Sequence, residues 1–336
     1  MPVVEQQTPE LTQWNDLPDD VRFSGILLGN GASRAIWDRF AYSSLYDVAS
    51  NVIPNYRLEE RDQALFASFG TTNFELVLAA ISTTRQVGEV LGWEVAEAVT
   101  RYDRIRNALV ESVHTTHIPW AKVSDDVLET LSSELSTFRF VYSSNYDLLI
   151  YWALMHHGPQ GFVDFFWSDL QFDITNTDVW RKATEVYYLH GGIHLLRTPS
   201  GSAMKRTAGF GGNLLDQFGR QLDRGFSPLF VSEGSSADKM RVIRGSDYLS
   251  FGHEALSQNR GSLFILGHSM GDSDSHLVHA INQSPTDRIG FSILPSSDDD
   301  VIKMKGHVVS RFPKKKLVFI DSTSHPLGAP GLSINP

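Results

Sequence analysis

Short apolar runs that halt at glycine or at a polar turn recur along this chain, and stretches of helical spacing fill the gaps between them. The first, Phe23 to Leu28 in FSGILLGNGAS, ends at Gly29–Gly31 and opens a segment with aromatics along one side. An apolar run that stops at glycine and starts a helix predicts a buried strand of a parallel sheet and its crossover. The same grammar returns in FRFVYSSNYD, in EVYYLHGGIHLL with its break at His190–Gly191, and in SPLFVSEG, SLFILGHS, DRIGFSILP and KKLVFID. Residues 60–137 instead show apolar spacings of three and four with no proline before Pro119, which predicts helices. Residues 197–227, rich in Gly, Ser and Arg, predict a hairpin and loop excursion.

Strands that alternate with helices predict an α/β fold: a doubly wound, mostly parallel Rossmann-like sheet with an all-helical insertion. The core then spans 15–59 and 138–325, and 60–137 is an insertion or cap. In such a sheet ligands bind beyond the carboxyl ends of the strands. The loops at Gly29, Asn145, His190, Gly267 and Asp321 are therefore expected to face one crevice. The insertion carries Phe66, Phe69, Phe74, Leu78, Trp93 and Tyr102, which need an apolar surface; the sheet's helical flank, a second subunit and the domain's own core all qualify.

Composition narrows the chemistry. With 41% hydrophobic and 11% aromatic residues in 336, the chain has the material for a substantial core. Its net charge of −10 argues against a general binder of nucleic-acid backbones, which needs a basic surplus. The absence of cysteine excludes disulfides, thiolate zinc sites and cysteine nucleophiles. MPVVEQQTPELTQW lacks the basic and apolar regions of a secretory leader, and no apolar run approaches the roughly 18–20 residues that span a bilayer. A cytoplasmic protein with no membrane contact is expected.

The loops carry the candidate chemistry. Gly29, Asn30, Gly31, Ala32 and Ser33 form G-x-G at a predicted strand-to-helix turn, with Arg34 where a dehydrogenase fingerprint wants a small residue. That suits a phosphate site on a helix N-terminus, and equally an ordinary βα turn. Asn145 in SSNYD offers a donor and an acceptor for ribose hydroxyls or a water, and Asp147 suits either the site or a helix cap. His190, at a strand end beside Gly191 and Gly192, has the chemistry of a general base. Glu233 and Lys239 fit the crevice rim or an ordinary surface pair.

In this order, G-x-G-A-S, N-Y-D, H-G and G-H-S resemble the sirtuin family, whose core binds NAD through G-A-G-x-S, N-x-D, H-G and G-T-S. LHGGIHL, PLFVSEGSSADK and LFILGHSMGDSDSH look more like zinc-less bacterial sirtuin-like proteins of anti-phage defence. The four-cysteine zinc module of deacetylating sirtuins is missing, and 197–227 stands in its place. The resemblance implies NAD⁺ as substrate with no metal, Asn145 and His190 as the catalytic pair, and cleavage to nicotinamide and ADP-ribose. It assigns Gly29 to Ser33, Asp147, Gly267, His268 and Ser269 to the nucleotide. It also implies a homo-oligomer, with a HerA-type ATPase as a conceivable partner.

Another reading competes for Gly267-His268-Ser269-Met270-Gly271. This G-x-S-x-G matches the nucleophile elbow of a serine hydrolase, which would need an acid (Asp299 or Asp321) and His325 after it. The polar extension GDSDS fits an elbow poorly, so Gly267 and Ser269 read better as ribose or phosphate binders. A non-catalytic nucleotide-binding assembly subunit also remains open. His114 and His117 share a spacing of three but lack an acidic third ligand, and Asp298–Asp300 reads as a helix start.

Overall fold

The computed structural model describes residues 8–18, 21–41, 45–158, 161–180, 182–207, 214–217, 226–231 and 235–334. Its strands are β1 (Gly25–Leu28), β2 (Phe140–Ser143), β3 (Phe162–Val163), β4 (Thr184–Tyr188) and β5 (Gly191–Arg197). They continue as β6 (Ala203–Lys205), β7 (Ser227–Phe230), β8 (Leu263–Leu266), β9 (Arg288–Ile293) and β10 (Lys316–Asp321). Seven of them make one sheet in the order β10-β9-β8-β1-β2-β4-β3, and every pairing in it is parallel. This is a Rossmann-like α/β fold.

β1 is the pivot. All four of its residues are buried, as a strand covered on both faces requires. The chain winds outward from β1 to β2 and β4, then crosses to β8 on the other side and on to β9 and β10. The switch point lies between β1 and β8, where open α/β sheets bind ligands. Register makes it functional: Leu28 pairs with Ser143 and with Leu266, and Ser143 with Tyr188. Four strands thus end level, and the loops after them start from one line.

SPLFVSEG does not join the parallel series as its pattern suggests. β7 pairs antiparallel with β5, and β5 with β6, in a separate three-stranded sheet. Only Leu189 and His190 separate β4 from β5. A parallel return needs a crossover of a dozen residues or more. The chain instead turns at Gly191, whose φ is +72°, and leaves the main sheet.

The region 60–137 forms helices Glu60–Ser68, Phe74–Leu91, Ala96–Thr116 and Asp125–Ser136. Phe66, Phe74 and Leu78 are buried in the core shared with the sheet, whereas Phe69 and Trp93 are more than half exposed. Arg101 ties two of these helices together, reaching Glu59 at 2.8 Å and the fully buried Asp62 at 3.1 Å. Among the described residues, no helix is long and apolar enough to cross a membrane.

Two histidines fold into apolar surroundings. His325 lies among Trp14, Phe138 and Phe264, and burial pushes it down to about 3. His117 sits edge-on to Phe40 and Trp152, and burial pushes it down to about 4. Both are neutral when folded and return to about 6.5 on unfolding. Their contribution to stability is complete above pH 6.5 and is lost as pH falls towards 3–4. Urea unfolding at pH 5 should show each costing about 2 kcal/mol relative to pH 7.5. Stability unchanged over that range would show that these rings are not held neutral.

Candidate active site

The loops after β1, β2, β4 and β8 converge on one cavity of about 420 Å³. Asn30, Gly31, Asn145, Asp147, His190, Gly267, His268 and Ser269 line it, joined by Arg34, Lys239 and Asp274. Its volume falls in the range of small-molecule sites. The loop at Asp321 does not contribute. It follows β10, an edge strand three places from β1, and its carboxylate caps the turn at Thr323.

The glycines serve a different purpose from the one their motif suggests. A Cβ on Gly29 would stand 2.6 Å from the Gly267 carbonyl oxygen, and one on Gly31 2.8 Å from Gly267 Cα. Gly267 has φ +70°, and its Cβ would stand 2.2 Å from the Ala32 nitrogen. The β1 and β8 loops therefore meet backbone to backbone. The expected cradle of free N–H groups is largely spent on this contact. Gly29 donates to Leu266 O at 2.9 Å, Gly31 to Gly267 O at 2.7 Å and Ala32 to Gly29 O at 3.0 Å. Arg34, whose side chain is half exposed and 4.0 Å from Asp38, brings a guanidinium to the cavity wall. It stands where the sequence departs from a dehydrogenase fingerprint.

Ser33 is also committed. Buried at the start of the helix Asn30–Ile36, it donates to Asp147 Oδ2 at 2.5 Å and accepts from Asn145 Nδ2 at 2.9 Å. Asn145 Nδ2 reaches Gly29 O as well, at 3.0 Å. The amide nitrogen thus locks the first loop to the second and leaves Oδ1 as the group for a ligand donor. Asp147 Oδ1 accepts from the Leu149 N–H at 2.9 Å, the helix-cap role. Burial raises its pKa, and the Ser33 hydroxyl opposes that shift.

His190 is buried, and its Nε2 lies 2.8 Å from Nε2 of His276, a residue that sequence reasoning missed. Behind His276 stands Ser236, whose Oγ accepts the His276 backbone N–H at 3.0 Å and meets Nδ1 at 3.3 Å. Burial, with Lys239 close by, holds His190 well below the usual histidine range. Burial likewise brings His276 to about 3 against the pull of Asp274. Both rings are neutral near pH 7. Asp274 is the opposite case: burial works to raise it, but the Lys239 ammonium at 2.6 Å and the nearby histidines hold it at about 2. Lys239 does reach the cavity, whereas Glu233 falls outside the described residues.

His190, Asp274 and His276 offer ligand atoms that all lie within 4.8 Å of one another, a grouping able to approach a metal ion. Their donors are already engaged, the two Nε2 atoms with each other and Oδ1 of Asp274 with an ammonium. His268 closes the loop, its Nδ1 accepting from the Met270 N–H at 3.0 Å.

The hydrolase elbow finds little support in this geometry. Ser269 is exposed on the cavity wall, and the positive φ values of the turn belong to Gly267 and Met270. His325 is fully buried among aromatic rings, caps Leu327 through Nδ1 at 3.1 Å, and does not line the cavity. Asp299 lies exposed in the first turn of the helix Asp298–Arg311.

Residues 26–325 match the family model described as Domain of unknown function (DUF4917), and the chain belongs to that family. No curated protein matches it.

The loop contact gives a direct test. Gly267→Ala should cost at least about 2 kcal/mol of unfolding free energy, from a strained backbone and a blocked close approach. Gly306→Ala, where nothing lies within 4 Å of the added Cβ, should stabilise its helix by about 0.5–1 kcal/mol. Urea titration of both variants checks the pair, and equal stabilities would remove the backbone contact as a constraint.

Proposed function

We propose that this DUF4917 chain binds NAD⁺ and hydrolyses the bond between nicotinamide and ribose, releasing nicotinamide and ADP-ribose. One observation carries the reading. Asn145 and His190, the pair that the sirtuin resemblance implicates, line the same cavity as the Asn30–Gly31 and Gly267–Ser269 segments. That cavity opens at the switch point of a parallel sheet, the place where dinucleotides bind in this architecture.

In this reading Arg34 meets the pyrophosphate, and Gly267, His268 and Ser269 hold the adenosine half. Asn145 accepts through Oδ1 from a ribose hydroxyl or from the attacking water. Cleavage sends the bonding electron pair to the nicotinamide nitrogen, which leaves neutral, so the leaving group needs no strong acid. The oxocarbenium-like C1′ takes up water, and His190 receives the proton. Tautomers permit this. When His276 donates from Nδ1 to Ser236, its bare Nε2 accepts the Nε2–H of His190, and His190 Nδ1 is then the basic nitrogen. The resemblance extends the proposal to anti-phage defence, with a cytoplasmic homo-oligomer and a HerA-type ATPase as partner.

Incubation with NAD⁺ and measurement of released nicotinamide tests the reaction. Asn145→Ala and His190→Ala should each lower turnover by about 10²-fold or more while the protein stays folded. Wild-type turnover in folded His190→Ala overturns the mechanism. If wild-type protein and its assemblies bind NAD⁺ by calorimetry yet release nothing, the chain is a nucleotide-binding subunit.

The pH profile supplies a separate check. His190 is held below the ordinary histidine value, so its neutral form persists to lower pH. kcat/KM for NAD⁺ should stay level from pH 8 down through about 6.5, the unperturbed histidine value. An acid limb centred at that value would mean that the base is not this buried ring.

A further inference from the structure

A second cavity, of about 730 Å³, lies between the helical region and the small antiparallel sheet. Four arginines from four separate elements line it: Arg85 of helix Phe74–Leu91, Arg106 of helix Ala96–Thr116, Arg197 at the end of β5, and Arg241 of helix Ser236–Arg244. The one carboxylate on its wall, Asp103, is 3.4 Å from Arg106. Arg241 pairs with Asp238 at 3.0 Å from a largely exposed position. Arg85 stands 3.8 Å from Glu89, beyond hydrogen-bond reach, and its buried Nε has no hydrogen-bond partner. Half-buried Arg197 lies against Gly245, and among the described residues its guanidinium has no acidic partner. On a chain of net charge −10, this concentration of arginine runs against the composition.

We propose that this cavity is a binding site for a polyphosphate anion, of the class found in nucleoside polyphosphates. Guanidinium forks match phosphate oxygens two at a time and stay charged at every physiological pH. Arg85 and Arg197 offer donors from two elements, and Arg106 and Arg241 add positive charge beside their carboxylates, a spread that suits linked phosphates. Apolar Leu76, Val99, Pro228 and Leu229 supply a wall for the remainder of such a molecule. The site is distinct from the first cavity but shares two elements with it. Pro228 and Leu229 face this one and Val231 the other; helix Ser236–Arg244 gives Arg241 here and Lys239 there. The inference is independent of NAD⁺ cleavage.

Calorimetry with inorganic tripolyphosphate, ATP and citrate on the full chain tests it. Tripolyphosphate and ATP should both bind, ATP more tightly if the apolar wall receives its nucleoside. The double variant Arg197→Gln/Arg241→Gln should weaken both by about tenfold or more. Arg34→Gln, in the first cavity, should leave tripolyphosphate affinity unchanged. Absence of binding by either phosphate compound, unchanged affinity in the double variant, loss confined to Arg34→Gln, or citrate binding as tightly as tripolyphosphate would each overturn the assignment.

Discussion

Gly31 donates its N–H to the Gly267 carbonyl at 2.7 Å, and Gly29 donates to Leu266 at 2.9 Å, so the loops after β1 and β8 touch through backbone atoms. The rest of the site depends on this contact. It sets how far apart the two halves of the sheet stand at the switch point, and hence the mouth of the cavity. Any side chain at these glycines would wedge the loops open. Asn145 then extends the clamp to a third loop, bonding Gly29 and Ser33 with one amide nitrogen. Oδ1 of Asn145 and the ring of His190 are held by buried, hydrogen-bonded neighbours. Such pre-organisation is what a site needs when the protein must orient a ligand more than react with it.

Burial works against charge on the titratable groups of this polar interior. Asp147 is pushed up by burial, and His190 and His276 are pushed down by it. Lys239 and Asp274 form an ion pair lining the cavity, and the ammonium holds the carboxylate charged. A buried pair of this kind contributes little net stability but is costly to break from one side. Its effect differs between the two histidine rings: Lys239 works against a proton on His190, whereas Asp274 favours one on His276.

Much of the architecture was legible because apolar runs ending in glycine or polar residues report strand ends directly. That is why the loops at Gly29, Asn145, His190 and Gly267 read as neighbours in the sequence. Asp321 shared the pattern but not the place: strand order, which spacing does not encode, put it on the sheet edge. His276 was invisible for a related reason. It meets His190 across 86 residues of sequence, and SDSH reads only as the polar start of a helix. Arg34 was seen as a defect in a fingerprint, since a motif records what is missing and not what a substitute can do. The glycines were noticed for the right physical property, the absence of Cβ, but their partner is protein backbone.

Charge distribution sets the terms on which either cavity meets an anion. The long-range field of a chain with ten excess negative charges repels phosphates. That repulsion is screened over about 8 Å at physiological ionic strength, whereas groups inside a cavity act at contact distance with little screening. Among the described residues, the first cavity spends Lys239 on Asp274 and presents Arg34, so the dinucleotide proposed to bind there would gain most of its affinity from shape and hydrogen bonds. The second cavity gathers four guanidiniums, of which Arg106 and Arg241 are paired with Asp103 and Asp238, Arg85 stands 3.8 Å from Glu89, and Arg197 has no acidic partner among the described residues. Because the segment 227–231 and the helix Ser236–Arg244 form part of both walls, a shift of either on one side is a shift of cavity lining on the other.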